Sequence, residues 1–103
     1  MNAVLVMYPN QKGATFDVDY YVSTHMPLVE KHLKPFGLVS WEVLQGLSGT
    51  AGAKAPYLCV GVMRFDTPEG YEKVIKAVGS ILRGDITNFT NVTPVRLMSK
   101  VLP

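Results

Sequence analysis

The sequence predicts an α+β fold in which four antiparallel strands form one sheet and two helices cover one of its faces. Three observations support this prediction. Strand-like and helix-like segments alternate in the order β-α-β-β-α-β. The chain has 103 residues, enough for one hydrophobic core but too few for a second, so we expect a single domain over residues 1–103. Hydrophobic residues make up 48% of the chain and charged residues 17%, below the roughly 25% charged share that is usual.

The first strand and the first helix are well marked. Residues 3–8 are mostly β-branched or large apolar residues and stop at a proline, which predicts a buried strand. A helix should then run from about residue 17 to residue 33, because Asp17 is a good N-cap and a proline-glycine segment ends the helix. Pro27 has no backbone N–H and its ring crowds the preceding turn. We therefore expect the helix to kink or restart beside His25.

The next two segments alternate as strands do. Residues 38–47 place Val39, Trp41 and Val43 on one face, and residues 57–65 form the strongest strand pattern in the chain. Between them lies a run of glycine and small residues that is typical of a flexible hairpin loop.

The second helix should open within residues 66–69. Thr67 is a suitable cap, Pro68 suits the first helical position, and Gly79 is a plausible stop. A polar segment then leads to a last strand over residues 95–102. The complete order is that of a ferredoxin-like sandwich.

The open face of this sheet should not be exposed to water. In such a sandwich that face is normally polar, but the first strand and most of the third are apolar on both faces. A second copy placed sheet against sheet would cover it, since symmetric dimers are the commonest oligomers. We therefore expect a homodimer with a barrel-like core between the two sheets.

Composition argues against several classes of partner. The formal net charge is +2 and the basic residues are scattered, which disfavours nucleic acid. No apolar run approaches the roughly 20 residues that cross a bilayer, and the single Cys59 suits a reducing compartment. His25 and His32 lack a suitably spaced acidic ligand, and no dinucleotide or phosphate-loop glycine pattern is present. We expect a soluble cytoplasmic protein without metal, cofactor or membrane partner.

Five short segments resemble a known family. They are Val6-Met7-Tyr8-Pro9-Asn10, Phe16-Asp17, Tyr20-Tyr21, His25-Met26-Pro27-Leu28-Val29 and Asp85-Ile86-Thr87-Asn88-Phe89-Thr90-Asn91. With them the sequence resembles the EthD family, which is named for ethyl tert-butyl ether degradation and belongs to the dimeric α/β-barrel superfamily. The resemblance implies small-molecule chemistry, because relatives in the superfamily include isomerases, cyclases, dehydratases and monooxygenases. It also implies a pocket between sheet and helices into which His25 points.

Three residues are the catalytic candidates. Imidazole titrates near neutral pH, which suits His25 to act as general acid or base, although spacing alone is equally compatible with a buried structural histidine. Tyr21 lies four residues earlier, and Leu28 and His32 continue the same stripe if the proline only bends the helix. Asp85 is the candidate acidic partner if the loop before the last strand folds over the pocket, where it would set the imidazole tautomer.

A second group is predicted to bind substrate or to fill the core around it. Cys59 is either a small hydrophobic residue or, less favoured, a nucleophile. A tyrosine hydroxyl can polarise a carbonyl or simply reach water. The candidates are Tyr20, Trp41, Cys59, Met63, Phe65 and Asn88.

Two functions from different classes follow. The first is an enzyme in which His25 transfers protons on a small, mostly apolar carbonyl compound, in an isomerisation, dehydration, cyclisation or degradative step. The second is a non-catalytic binding or accessory protein that supports a separate oxygenase in a degradation pathway. A weaker third possibility is haem binding through an axial His25.

Overall fold

The strands and helices follow the predicted order. The structure is a computed structural model, and it describes residues 1–67 and 69–103. The strands are β1 (Asn2–Pro9), β2 (Leu38–Gln45), β3 (Tyr57–Phe65) and β4 (Val95–Lys100). The first helical segment consists of α1 (Val18–Tyr20), a π-helical turn (Tyr21–His25) and α2 (Met26–Leu33), followed by a 3-10 turn (Lys34–Phe36). The second helical segment is α3 (Gly70–Ile86).

The sheet has the strand order β2-β3-β1-β4, and every neighbouring pair is antiparallel. This confirms the predicted α+β, ferredoxin-like arrangement. Strand β1 is central and pairs with β3 on one side and β4 on the other. Residues on the helix-facing side of β1 and β3 make up much of the core, including Tyr8, Cys59, Met63 and Phe65.

The irregularity predicted beside His25 is present, but it is a π-helical turn rather than a kink. Asp17 caps the helix as expected, because its side chain accepts a hydrogen bond of 3.0 Å from the amide of Tyr20. The amide of Met26 then bonds the carbonyl of Tyr21, five residues back. Pro27 has no N–H for the ordinary bond to the residue four back, and the wider turn accommodates this loss.

The π-helical turn changes which side chains face the core. Tyr21 and His25 are buried as predicted, but the buried stripe continues through Met26, Val29 and Leu33. The expected continuation through Leu28 and His32 is therefore wrong. An extra residue in one turn rotates everything after it, so that the adjacent residues His25 and Met26 both point inward.

Strand β2 departs from the predicted alternation at its start. The register with β3 shifts between Leu38 and Ser40, so that Val39 is the extra residue of a bulge and is 55% exposed. Leu38 is buried instead, and Trp41 and Val43 pack against the core. A bulge inserts one unpaired residue into a strand, so the residues before it point to the opposite face from the one that simple alternation predicts.

The prediction that Gly79 ends the second helix is wrong. Helix α3 continues through Gly79 to Ile86, so Asp85 lies in its last turn rather than in a loop. The helix begins after Glu69, which occupies the N-cap position without a side-chain bond, and Thr67 is therefore not the cap. The predicted role of Pro68 lies outside the described residues.

The open sheet face carries apolar side chains on all of its strands. Leu5 lies opposite Leu97 and Met7 lies opposite Val95 in the β1–β4 pairing, and Val62 belongs to the same face of β3. Leu97 is 48% exposed. None of the helices in the described ranges is long and apolar enough to cross a membrane.

Candidate functional site

The site is centred on a buried histidine held by a carboxylate. His25, in the π-helical turn, is only 5% exposed, and its Nδ1 lies 2.8 Å from Oδ2 of Asp85 in the last turn of α3. The two residues are 60 positions apart in the sequence. His25 and Asp85 come together because the two helical segments pack on the sheet.

Two further side chains hold the carboxylate. The hydroxyl of Tyr20 donates to Oδ1 of Asp85 at 2.8 Å, and the side-chain amide of Asn88 donates to the same oxygen at 2.9 Å. Each carboxylate oxygen therefore has a partner, and Asp85 cannot rotate without breaking several bonds. Tyr20 and Asn88, predicted to bind substrate, instead lie behind His25 and orient its partner.

These contacts set the protonation state of the pair. Burial would raise the pKa of Asp85, but hydrogen bonds from His25, Asn88 and Tyr20 outweigh it and hold that pKa below its ordinary value. Burial lowers the pKa of His25, although Asp85 partly opposes this. Because an ionised carboxylate only accepts, Nδ1 carries the hydrogen and Nε2 of the neutral ring has a free lone pair.

The free nitrogen has access to space. Within the described residues His25 makes no second side-chain hydrogen bond, and no fully enclosed side-chain nitrogen or oxygen is left without a partner. Nε2 of His25 is therefore not fully enclosed by protein atoms. An unprotonated, accessible ring nitrogen opposite a fixed carboxylate is the arrangement that a general base needs.

Aromatic rings fix the plane of the imidazole. Tyr21 stacks nearly parallel to His25, with ring centroids 5.4 Å apart and an angle of 14°. Phe89 approaches His25 at 4.6 Å from another direction. The Tyr21 phenol passes so close to the backbone of Gly61 in β3 that a side chain there would overlap its hydroxyl. Burial raises the pKa of the phenols of both Tyr21 and Tyr8, so that both stay protonated.

The segment after α3 is tied to the segment before α1. The amide of Asp17 donates to the carbonyl of Phe89 at 2.8 Å, and the Thr90 hydroxyl donates to the carbonyl of Thr15 at 2.6 Å. These bonds place Phe89 against the histidine and hold Asn88 within reach of Asp85. The polar motif at the end of α3 therefore has a positioning role for the site.

A narrow cavity of about 40 Å³ lies between the helices and the sheet, next to His25. This volume holds only a few waters, far less than a porphyrin requires. The residues that line it come from the strands β1, β3 and β4, the π-helical turn, α2 and α3. The lining residues include Val6, Tyr8, Tyr21, His25, Met26, Val29, Leu33, Met63, Tyr71, Ile75, Gly79, Leu82, Arg83, Ile86 and Arg96.

The structure separates the predicted residues into three groups. Tyr21, His25 and Met63 line the cavity. Asp85, Tyr20 and Asn88 lie behind the imidazole. Trp41, Cys59 and Phe65 pack in the core and do not line this cavity.

Cys59 lacks the surroundings of a nucleophile. It is fully buried as a free thiol, and burial raises its pKa to about 11. A thiol in that state is almost entirely protonated at neutral pH. In residues 1–67 and 69–103, no three or more His, Cys, Asp or Glu side chains are grouped to hold a metal ion.

Most of the lining residues were not predicted from the sequence, and Tyr8, Arg83 and Arg96 are among them. Tyr8 has the same strand parity as Val4 and Val6, so its inward direction was available from the alternation. Arg83 and Arg96 gave no such signal, because each is a single basic residue in an otherwise unremarkable segment.

Comparison with known proteins supplies the family. No protein-family model matches the sequence, and no curated protein matches it either. Among solved structures, an EthD-like protein from Ralstonia eutropha JMP134 is 34% identical, with a TM-score of 0.92 over 99% of this chain and 92% of that one. The chain belongs to the EthD-like family.

More distant structures share the fold with this EthD-like protein. An ethyl tert-butyl ether degradation (EthD) family protein from Bacillus halodurans is 19% identical, with a TM-score of 0.73 and 99% coverage of both chains. A dimeric ferredoxin-like protein from an uncultured marine organism is 12% identical, with a TM-score of 0.58 over 99% of this chain and 93% of that one.

Proposed function

We propose that this EthD-like protein is an enzyme in which His25 acts as general acid and base on a small carbonyl compound. The observation that carries the proposal is the His25–Asp85 pair, with Nδ1 bound at 2.8 Å and the opposite ring nitrogen free at the cavity. A structural histidine would more often have both nitrogens engaged or in water. The fixed carboxylate also stabilises the imidazolium that forms when Nε2 takes a proton.

The chemistry begins at a C–H bond next to a carbonyl. Nε2 of His25 takes the proton, and the electron pair of the broken C–H bond moves into an enolate. With a β,γ-unsaturated carbonyl compound the enolate is a dienolate, and its protonation at the γ-carbon by the imidazolium completes an isomerisation that moves the double bond. Loss of a β-hydroxyl group with the same proton completes a dehydration instead. Tyr8 and Tyr21 line the cavity and their phenols remain protonated; the two phenols hydrogen-bond to each other, which leaves one hydroxyl hydrogen to donate to the carbonyl oxygen.

The functional form is proposed to be a homodimer joined through the open sheet face, in the cytoplasm. Apolar residues such as Leu5, Val62 and Leu97 occupy that face, and a dimeric ferredoxin-like protein shares the fold. A free buried thiol at Cys59 fits a reducing compartment.

The alternative is a binding or accessory protein that supports a separate oxygenase in a degradation pathway. The small enclosed volume of about 40 Å³ favours it, because whole substrates of ordinary size would not fit beside His25 without movement. In that case the imidazole would only accept a hydrogen bond from the ligand.

Hydrogen–deuterium exchange separates the two functions. Small ketones, lactones and keto acids are incubated with the protein in D₂O, and loss of the α-proton signals is followed by NMR. An enzyme should accelerate exchange, and His25→Ala should remove that acceleration while His32→Ala retains it. If a compound raises the melting temperature of the wild type but no exchange is catalysed, the proton-transfer proposal is wrong and the binding function is favoured.

A further inference from the structure

We propose that the site takes a small organic anion, whose carboxylate is held by Arg83 and Arg96 while its carbonyl end reaches His25. The placement of the carbonyl end rests on the proposed function. The recognition of the carboxylate does not, because it follows from the two arginines alone.

Arg83 and Arg96 lie at the junction between the narrow cavity and a neighbouring groove. Both line the narrow cavity beside His25, and both also line an adjoining open groove formed by the end of α3 and the segment before β4. Ile86 is shared in the same way. A molecule that enters the cavity from this groove therefore passes residues that line both spaces, two of them basic and one apolar.

Neither arginine has an ion-pair partner within the part of the chain that the structure describes. The ion pairs of the described residues are His25 with Asp85 and Arg64 with Glu42, and neither involves Arg83 or Arg96. Asp85 is already bound by three donors and cannot serve them as well. Both arginines line the same cavity and the same groove, so their positive charges favour the binding of an anion there.

Gly79 contributes to the position of Arg83. A Cβ at residue 79 would lie 2.8 Å from Nη1 of Arg83, one helical turn later. The missing side chain leaves room for the guanidinium to lie over residue 79 on α3, while Arg83 as a whole stays exposed to water. A methyl group at residue 79 would therefore displace the end of the Arg83 side chain from this position.

Arg96 acts on the interior of the site as well. It pairs with Val6 on the helix-facing side of the sheet. Burial raises the pKa of the Tyr8 and Tyr21 phenols, and the positive charge of Arg96 partly opposes this at both. Its charge is therefore felt at the cavity wall as well as at the surface.

The size of the cavity indicates how the anion enters. A volume of about 40 Å³ accepts only a few non-hydrogen atoms. The reacting end must then be small and enter first, while the rest of the molecule stays in the groove. A short chain with a ketone at one end and a carboxylate at the other has this form.

Levulinate and its methyl ester test the proposal, because both carry the same ketone and only levulinate is charged. Binding is measured by NMR titration at fixed low ionic strength, and α-proton exchange is followed in D₂O in the same samples. The variants are Arg83→Gln, Arg96→Gln and Gly79→Ala, with Lys73→Gln on the exposed side of α3 as the control for loss of one charge.

Levulinate should bind the wild type about tenfold more tightly than the ester, and each arginine variant should lose about fivefold or more of that preference. Gly79→Ala should weaken the preference in the same direction, and Lys73→Gln should leave it within about twofold. Equal affinity for acid and ester, no detectable binding of levulinate, or an equal loss in Lys73→Gln would overturn the proposal.

The two measurements distinguish a failure of proton transfer by His25 from a failure of anion recognition by the arginines. If the carboxylate preference is present and depends on the arginines but no proton exchanges, anion recognition stands and proton transfer by His25 is wrong. If the acid and the ester exchange equally fast and the arginine variants change neither, proton transfer stands and anion recognition is wrong.

Discussion

Replacing Asp85 with asparagine should invert the tautomer of His25 with little change in the fold. Among residues 1–67 and 69–103, Oδ1 of Asp85 accepts from Tyr20 and Asn88, and His25 is the one donor to Oδ2. An asparagine amide keeps two bonds if its oxygen faces Tyr20 and Asn88, so its NH₂ must face the imidazole. Nδ1 of His25 must then accept, and the ring hydrogen moves to Nε2.

The effect on proton transfer is large because Nε2 no longer has a free lone pair. A general base contributes about 10²- to 10⁴-fold to rate, and most of this should be lost in Asp85→Asn. The pKa of His25 should also fall below its already lowered value, since the carboxylate that opposes the effect of burial is gone. Because the same three contacts persist, the free energy of unfolding should change by only about 1 kcal/mol.

Nitrogen NMR of the imidazole ring is the assay, because it needs no substrate. The chain has two histidines, so a His32→Gln background leaves the signals of His25 alone. In the Asp85 form Nδ1 should carry the hydrogen, and in the asparagine form Nε2 should carry it. The same tautomer in both proteins, or unchanged α-proton exchange in Asp85→Asn, would refute this account of how the pair works.

Three further predictions follow from the geometry. Gly61→Ala should destabilise the protein by about 1–3 kcal/mol in urea unfolding, because the new methyl group overlaps the Tyr21 hydroxyl. His25 has a lowered pKa in the folded state, so the unfolded chain takes up the proton first. Stability should therefore decline as pH falls from above the ordinary 6.5 towards 5, and this decline should flatten in His25→Asn. Leu97→Lys on the open sheet face should convert the proposed dimer to a monomer in sedimentation velocity runs.

Matched controls are available for each of these experiments. Gly84→Ala adds a methyl group where nothing lies within 4 Å, and in a helix it should stabilise rather than destabilise. His32→Asn should leave the pH dependence in place. Leu47→Lys alters an 89% exposed loop residue off the sheet and should leave sedimentation unchanged. A monomeric wild type, or dimers that persist in Leu97→Lys, would count against sheet-to-sheet pairing.

Local patterns in the sequence predicted some elements well and others poorly. Alternation correctly placed Cys59, Met63 and Phe65 on one face of β3, because strand parity is a short-range property, but only the structure shows that this face is the inward one. Gly79 misled because glycine often ends a helix but also occurs inside one, and here α3 continues past it to Ile86. Val39 misled because a bulge leaves no local mark on the pattern.

The candidate site was predicted in part. His25, Tyr21 and Asp85 were chosen together, and the structure brings them to one place, although Asp85 arrives on a helix rather than a loop. The roles of Tyr20 and Asn88 were assigned to substrate, whereas both bind Asp85. The packing of the two helical segments decides on which side of the imidazole a residue lies. Spacing along the chain does not encode this.

By itself the sequence determined the element order, the cap at Asp17, the apolar character of both sheet faces and the histidine beside Pro27, all of which are local or additive properties. Only the tertiary structure decided that Asp85 meets Nδ1 of His25 across 60 residues, and that Arg83 and Arg96 share the mouth of one cavity. These contacts depend on the rotation imposed by the π-helical turn and on the register of β4 against β1. A one-residue change in either would move the side chains to another face, and for that reason the chemistry of the site is a property of the fold.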